Sequence, residues 1–207
     1  MIAIIDYKAG NLTSVLRAVK HLGHDVEITR DHERIRQAER LIFPGVGAAG
    51  AAMDVLRREG LAELVKEQVL DKRKPFLAIC IGIQIIFENS EEDDAQCLGL
   101  LPGTVKLFRE TEWEDETLKV PQIGWNRLYQ VQEHPIFNGV QDDAEVYFVN
   151  SYYCEPKNAS QIIGESEYGV RFACAVAKDN LVATQFHLEK SGPIGLRMLN
   201  NFCEWRP

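Results

Sequence analysis

Short apolar runs alternate with amphipathic segments through the first half of the chain. The runs MIAIIDY, DVEIT, RLIF and PFLAIC predict four strands. The segment after the first run predicts a helix with Asn11 as its N-cap, because its apolar positions recur at helical spacing, at Leu12, Val15, Leu16 and Val19. Residues 51–69 predict one or two helices broken near Gly60, and 81–88 predicts the start of another. Strands and helices in this alternation indicate a parallel sheet covered on both faces.

From about Leu98 the pattern changes to strand-like runs separated by turn residues, namely GTVKLF, GWNRLYQV, AEVYFVNSYY, QIIGESEY, FACAVAK and LVATQF. Residues 191–205 predict a closing helix. No repeat or long linker divides the chain. The sequence therefore predicts an α/β fold over residues 1–207, as a single domain with a central, mostly parallel sheet flanked by helices and an antiparallel strand extension.

Composition narrows the classes of function. The chain is 45% hydrophobic and carries a formal net charge of -8, which disfavours nucleic acid and anionic lipid as partners. No apolar run approaches the roughly 20 residues of a membrane helix, and MIAIIDY lacks the features of a signal peptide, so we expect a cytoplasmic protein. The five cysteines form no C-x-x-C pair, which indicates free thiols and no metal site.

Cys80 ends an apolar strand where a helical pattern begins. The sequence AICIG, from Ala78 to Gly82, fits the G-x-nucleophile-x-G pattern of a strand-to-helix turn, with alanine at the first glycine position. Such a turn exposes its central side chain at a helix N-terminus, which favours a thiolate. The alternative is that Cys80 is a small buried core residue.

A thiol nucleophile needs a base and a group that orients the base. Of the five histidines, only His187 follows an apolar strand and has a carboxylate, Glu189, two residues later. On a continuing strand these two side chains would share a face. The alternative is a surface histidine beside a surface glutamate, but the presence of Cys80 favours the order Cys, His, Glu.

The sequence FPGVGAAG follows another strand end and has glycines at Gly45, Gly47 and Gly50. This spacing matches a dinucleotide-binding fingerprint, although it follows the third strand and lacks an acidic residue at the tip of the next one. The competing interpretation is a loop whose bare amides stabilise an oxyanion, which Cys80 chemistry requires. We favour the oxyanion loop. The acidic run 88–94 follows Cys80 closely enough to offer a carboxylate to a substrate ammonium group.

Three segments together resemble the signatures of triad (class I) glutamine amidotransferases: PGVG, AICIGIQ and QFHLEKS. Two more, QIGWN and YFVNSYY, resemble those of the glutaminase subunits of imidazole glycerol phosphate synthases. The resemblance extends from the opening IIDYKAGNL to the closing GLRMLNNF and is specific through the joint presence of its motifs.

The resemblance implies roles for individual positions. The nucleophile, the general base and its orienter would be Cys80, His187 and Glu189. The oxyanion hole would be formed by the amides of Gly47 and Ile81, with the Val46–Gly47 peptide turning inward. Glutamine would be held by Gln84, Glu92, and the backbone around Ser151 and Tyr152. A partner would be faced by Gln122, Trp125, Asn126, Asn150 and Lys190.

Four positions depart from the family pattern. Ala78 replaces the first glycine of the turn, and Leu188 replaces the proline between His187 and Glu189. Asn150 stands where a histidine commonly precedes Ser-Tyr-Tyr, and Gln122 differs from the residue usual before IGWN. The first two bear on the catalytic geometry, and the last two bear on the partner interface.

The family resemblance implies hydrolysis of L-glutamine to glutamate and ammonia, without a cofactor. It also implies a heterodimer in which a (β/α)₈-barrel cyclase uses the ammonia to make imidazole glycerol phosphate and aminoimidazole carboxamide ribotide in histidine biosynthesis. Two alternatives stay open at this point. One is a paralogue that feeds a different synthase, such as one that aminates a surface sugar. The other is an inactive subunit that only binds and regulates.

Overall fold

The computed structural model describes residues 1–8, 12–109 and 117–207, so the predicted N-cap Asn11 lies outside the described residues. The strands in this part of the chain are β1 (Ile2–Ile5), β2 (Val26–Thr29), β3 (Arg40–Gly45), β4 (Phe76–Cys80), β5 (Asn89–Ser90), β6 (Ala95–Gln96), β7 (Gly103–Leu107), β8 (Gln122–Gln130), β9 (Ala144–Asn150), β10 (Tyr152–Pro156), β11 (Ile162–Tyr168), β12 (Val170–Lys178) and β13 (Leu181–Thr184). The α-helices are α1 (Leu12–His21), α2 (His32–Gln37), α3 (Ala49–Arg58), α4 (Leu61–Lys66), α5 (Ile81–Ile85) and α6 (Gly192–Glu204).

All these strands belong to one mixed sheet. Its main path runs β2-β1-β3-β4-β13-β12-β10-β7-β5-β6, and β11 joins β12 to the β8–β9 pair. The five central strands from β2 to β13 are mutually parallel, whereas β12, β10, β11, β8 and β9 pair antiparallel. The predicted α/β fold, with a parallel centre and an antiparallel extension, is confirmed.

Two apolar cores cover the two faces of the sheet. Alternate residues of β1 show the division, since Ala3 and Ile5 belong to one core and Ile2 and Ile4 to the other. Helices α3, α4 and α5 pack on the first face, and α1 and α6 on the second. In the described ranges, no helix combines the length and the apolar character needed to cross a bilayer.

Several element boundaries differ from those predicted. Helix α5 stops at Ile85, because Asn89 and Ser90 pair with β6 and β7 instead of continuing the helix. The run AEVYFVNSYY divides at Ser151 into β9 and β10. The predicted break at Gly60 is confirmed, and its φ of 68° lies in the left-handed region that glycine adopts readily.

Candidate active site

Cys80 lies at the sharp turn from β4 into α5. Its backbone has φ 57° and ψ -108°, a strained conformation for a residue with a side chain. The following glycine makes the turn possible, because a Cβ on Gly82 would lie 2.4 Å from the Phe43 carbonyl oxygen and 3.1 Å from the Cβ of Ala78. Since Gly82 leaves that space open, the alanine at the first glycine position fits. The turn thus keeps the predicted geometry despite the departure at Ala78.

The loop after β3 lies beside Cys80, because Gly45 and Cys80 are register partners across β3 and β4. A Cβ on Gly45 would collide with the Tyr7 hydroxyl and with Ile81. Gly47 has φ 110°, and a Cβ on Gly50 would lie 2.8 Å from a carboxylate oxygen of Asp93. Backbone conformation and close packing therefore account for all three glycines of the motif without a dinucleotide.

His187 approaches the same region from β13, the parallel neighbour of β4. The imidazole Nδ1 lies 2.8 Å from Glu189 Oε1, and both side chains are almost completely buried, with 4% and 3% exposed. The Ser191 hydroxyl donates to the His187 carbonyl at 2.6 Å and fixes this segment. The prediction of a continuing strand is wrong, since Leu188–Lys190 forms a 3₁₀ turn. The turn nevertheless brings Glu189 to the imidazole, and Leu188 occupies a fully buried apolar position within it.

Electrostatics favour a protonated His187. Burial lowers the pKa of His187, but its interactions with Cys80 and with the Glu189 carboxylate outweigh burial and raise it from 6.5 to about 9. Among the described residues, no group completes a hydrogen bond with the imidazole Nε2. The ring is therefore held through Nδ1, while Nε2 remains available for proton transfer on the side of Cys80.

A cavity of about 270 Å³ opens above Cys80 and His187. Every residue predicted for the oxyanion hole and for glutamine binding lines it: Val46, Gly47, Ile81, Gln84, Glu92, Ser151 and Tyr152. Ile81 is the first residue of α5, so its amide has no acceptor within the helix. Burial raises the pKa of Glu92, whose carboxylate accepts a 2.7 Å hydrogen bond from the Ala49 amide. The cavity thus combines a thiol, an imidazole and a fixed carboxylate.

Two buried residues of the site were not predicted. Gln185 accepts a 3.2 Å hydrogen bond from the Gln84 side-chain amide, which leaves the Gln84 carbonyl oxygen for a ligand. In the sequence, the position of Gln185 two residues before His187 could have indicated that it belongs to the site. The Tyr7 ring stacks on Phe43 at 4.7 Å under the glycine loop, and its hydroxyl completes no hydrogen bond among the described residues. Burial, followed by the charge of Cys80, raises the pKa of Tyr7.

The residues predicted to face a partner lie in two different settings. Trp125 is 56% exposed, Lys190 is exposed at the cavity mouth, and Asn126 is half-buried with its side-chain amide donating to the Glu167 carbonyl. Gln122 and Asn150 instead point into the protein and are almost fully buried. Their burial places these two side chains beneath the surface, and their role at a partner interface stays a prediction.

The residues described hold no group of three or more His, Cys, Asp or Glu side chains arranged to bind a metal ion. The five cysteines are free and buried. The chemical groups of the cavity are those of acyl transfer through a thiol: a nucleophile, a base held by a carboxylate, and backbone amides beside the nucleophile.

Comparison with known proteins places this chain in a family. The sequence profile of glutamine amidotransferase class-I matches residues 3–205. The imidazole glycerol phosphate synthase subunit HisH of Chromobacterium violaceum is 47% identical over 99% of this chain and 97% of that protein. The subunit of the same name from Neisseria meningitidis serogroup A is 46% identical over 98% of this chain and 99% of that protein.

Solved structures show the same fold at much lower identity. A crystal structure of a glutamine amidotransferase has a TM-score of 0.75 at 16% identity and covers 99% of this chain and 98% of its own. PurLQS from Thermotoga maritima gives a TM-score of 0.76 at 15% identity, over 98% of this chain and 96% of that one. The chain therefore belongs to the class I glutamine amidotransferases, with relatives among the HisH subunits of imidazole glycerol phosphate synthases.

Proposed function

We propose that this chain is the glutaminase subunit of an imidazole glycerol phosphate synthase in histidine biosynthesis. In this role residues 1–207 act as one domain that hydrolyses L-glutamine and passes the ammonia to a (β/α)₈-barrel cyclase. The observation that carries the proposal is the strained Cys80 turn facing the buried His187–Glu189 pair across one cavity. The free, buried thiols suit a reducing cytoplasm, which we propose as the compartment.

The first half-reaction forms a thioester. His187 takes the thiol proton on Nε2, and the Cys80 thiolate attacks the γ-amide carbon of glutamine. The amides of Gly47 and Ile81 stabilise the oxyanion, and the loss of one such donor typically costs about 3 kcal/mol. For Gly47 to contribute, the Val46–Gly47 peptide turns toward the cavity. The imidazolium then gives its proton to the departing nitrogen, so that neutral ammonia leaves and a glutamyl thioester remains on Cys80.

The second half-reaction releases glutamate. His187 removes a proton from water as the water attacks the thioester, and the same proton returns to Cys80 when the thiol departs. Glu189 holds the imidazole through Nδ1 in both steps. Glu92 and the carbonyl oxygen of Gln84 suit the substrate ammonium group, and the backbone at Ser151 and Tyr152 closes the other side of the cavity.

The exposed surface beside the cavity mouth supports a partner there. Ile123 and Trp125 alternate on the outer face of β8 and are 64% and 56% exposed. The Trp125 ring meets Tyr147 edge-on at 5.8 Å, and the Lys190 ammonium lies 5.9 Å from the same Tyr147 ring. Aromatic side chains of this size are favoured at the centres of protein interfaces. We assign this patch, with Asn126, to the cyclase.

The proposed function is tested by measuring glutamate release from glutamine, by this chain alone and mixed with the cyclase and its nucleotide ligand. We expect strong release in the mixture and loss of it in Cys80→Ser, while added ammonium still supports synthesis by the Cys80→Ser complex. Glutamine-dependent synthesis by Cys80→Ser would refute the nucleophile. If the cyclase changes nothing, labelling of Cys80 by a glutamine-analogue chloroketone separates a different synthase partner from an inactive subunit.

A further inference from the structure

Two buried carboxamides lie side by side at the end of the β8–β9 pair. Gln122 and Asn150 are register partners across these antiparallel strands and are 2% and 5% exposed. Side chains at directly opposite positions lie on the same face of a sheet with Cβ atoms about 5 Å apart. Both therefore project to the inner face, which Val146 and Phe148 cover with apolar side chains further along β9.

Most polar atoms of this pair have no hydrogen-bond partner in the ranges that the structure describes. Neither the oxygen nor the nitrogen of the Gln122 carboxamide has a partner among the described residues, and the same holds for the Asn150 oxygen. The Asn150 nitrogen is held, because it donates to the Tyr152 carbonyl at 3.0 Å. Buried carboxamides almost always find partners, since an unpaired polar atom is costly. Within the described part of the chain, the oxygens of Gln122 and Asn150 and the nitrogen of Gln122 therefore have no internal hydrogen-bond partner.

The pair is next to the nucleophile. Asn150 lines the cavity together with Cys80, and Pro121, the neighbour of Gln122, lines it too. The Cys80 thiol lies 3.7 Å from the carbonyl oxygen of Val149, the residue before Asn150. On the outer face of the same two strands are Ile123 and Trp125, the surface that we assign to the partner. The carboxamides thus lie beside the cavity that holds the thiol, on the face of β8 and β9 opposite to that surface.

We propose that Gln122 and Asn150 form a binding subsite for the ammonia released at Cys80. Ammonia offers three N–H donors and one lone pair, which match the oxygens of Gln122 and Asn150 and the nitrogen of Gln122. Carboxamides do not titrate, so they bind ammonia without protonating it. A carboxylate there would favour ammonium, which has no lone pair for attack. The inference rests on the proposed function and adds a binding site for its product.

The test uses the complex of this chain with its cyclase and measures glutamate released per imidazole glycerol phosphate formed. The variants are Gln122→Met and Asn150→Leu, which keep side-chain volume and remove the hydrogen-bonding groups. We expect the ratio to rise from about one to at least three in Gln122→Met, with the excess nitrogen recovered as free ammonium in solution. The matched control is Gln161→Met, which replaces another buried carboxamide with an unpaired oxygen, remote from the cavity, and leaves the ratio at one.

A ratio of one in both variants would overturn the subsite. Loss of glutamate release in a variant that still incorporates the chloroketone at Cys80 would also overturn it, because the pair would then serve hydrolysis. If Gln122→Met does not fold, Gln122→Asn serves instead, because its side chain is one methylene shorter and moves the carboxamide away from the subsite. The same ratio is then measured. Failure of the proposed function gives a different result, because glutamate release by the wild-type complex would then not be coupled to formation of imidazole glycerol phosphate.

Discussion

Replacing Glu189 by glutamine removes one charge from the buried pair and changes little else in volume. In the wild-type chain the carboxylate accepts from Nδ1 at 2.8 Å and favours the imidazolium. With Glu189→Gln, burial of His187 is opposed by Cys80 alone, so the pKa of His187 falls. The amide can also donate to Nδ1, which would place the ring proton on Nε2, where it blocks acceptance of the thiol proton.

The size of the effect follows from the shift in pKa. A rise in the pKa of His187 from 6.5 to about 9 corresponds to about 3 kcal/mol in favour of the imidazolium. This is the net stabilisation that interactions with Cys80 and Glu189 provide beyond the amount that offsets burial. Since about 1.4 kcal/mol is tenfold in rate, the Glu189 share predicts a loss of kcat between about tenfold and 100-fold. KM for glutamine should change little, because Glu189 is behind His187 and does not line the cavity.

The assay is glutamate release by the complex as a function of glutamine concentration, together with the rate at which iodoacetamide alkylates Cys80. A His187 with a lower pKa is a poorer acceptor for the Cys80 proton, so Glu189→Gln should slow alkylation at pH 7. The control is Glu63→Gln, whose carboxylate is 82% exposed on α4. A fall in kcat of less than about threefold, with alkylation unchanged at pH 7, would refute this account of the pair.

Three further predictions concern stability and the shape of the site. Tyr7→Phe removes a buried hydroxyl that lies near the Val46 backbone without completing a hydrogen bond of good geometry among the described residues, so the free energy of unfolding should change by no more than about 1 kcal/mol; a larger loss in urea denaturation contradicts this. Gly195→Ala would place a Cβ 2.0 Å from the Leu188 carbonyl oxygen and displace the turn that carries Glu189. We therefore expect the free energy of unfolding to fall by about 1–3 kcal/mol and kcat to decrease. Wild-type kcat together with wild-type stability would contradict this expectation. Burial lowers the pKa of His134 from 6.5 to about 4, so the unfolded chain takes up this proton first and stability falls as pH drops from about 6.5 towards 4. His134→Asn keeps an acceptor for the Ile136 amide but does not titrate. Between pH 7.5 and 4.5 its free energy of unfolding should therefore fall by about 1 kcal/mol less than that of the wild type, with allowance for the partial exposure of His134. An identical dependence of stability on pH in both proteins would assign the loss to other groups.

The parts of the site that follow from local sequence were predictable. A small residue, a cysteine and a glycine at a strand end identify the turn at Cys80, because the steric demands act within a few residues. The pairing of His187 with Glu189 was expected from their spacing, but through a strand, whereas a 3₁₀ turn makes it. Periodicity over so short a segment does not separate the two geometries.

The unpredicted parts depend on contacts between distant segments. Gln185 meets Gln84, and Tyr7 meets Gly45, only after the central strands have assembled. Gln122 and Asn150 have the composition of surface residues, and their burial comes from pairing at one end of β8 and β9 beside the cavity. Polar residues in strands are usually assigned to the solvent face, and that assumption fails next to a functional cavity.

The position of β13 in the sheet has a consequence for the growing chain. Phe76 of β4 pairs with Leu181 of β13, so the strand that completes the edge of β4 leaves the ribosome well after β4 itself. Until then β4 has an open edge, and Cys80 has no base beside it because His187 follows β13. A partial chain can hold the thiol at its turn, but it cannot cleave glutamine. The order of the strands thus protects a nascent polypeptide from consuming glutamine before a surface for its partner exists.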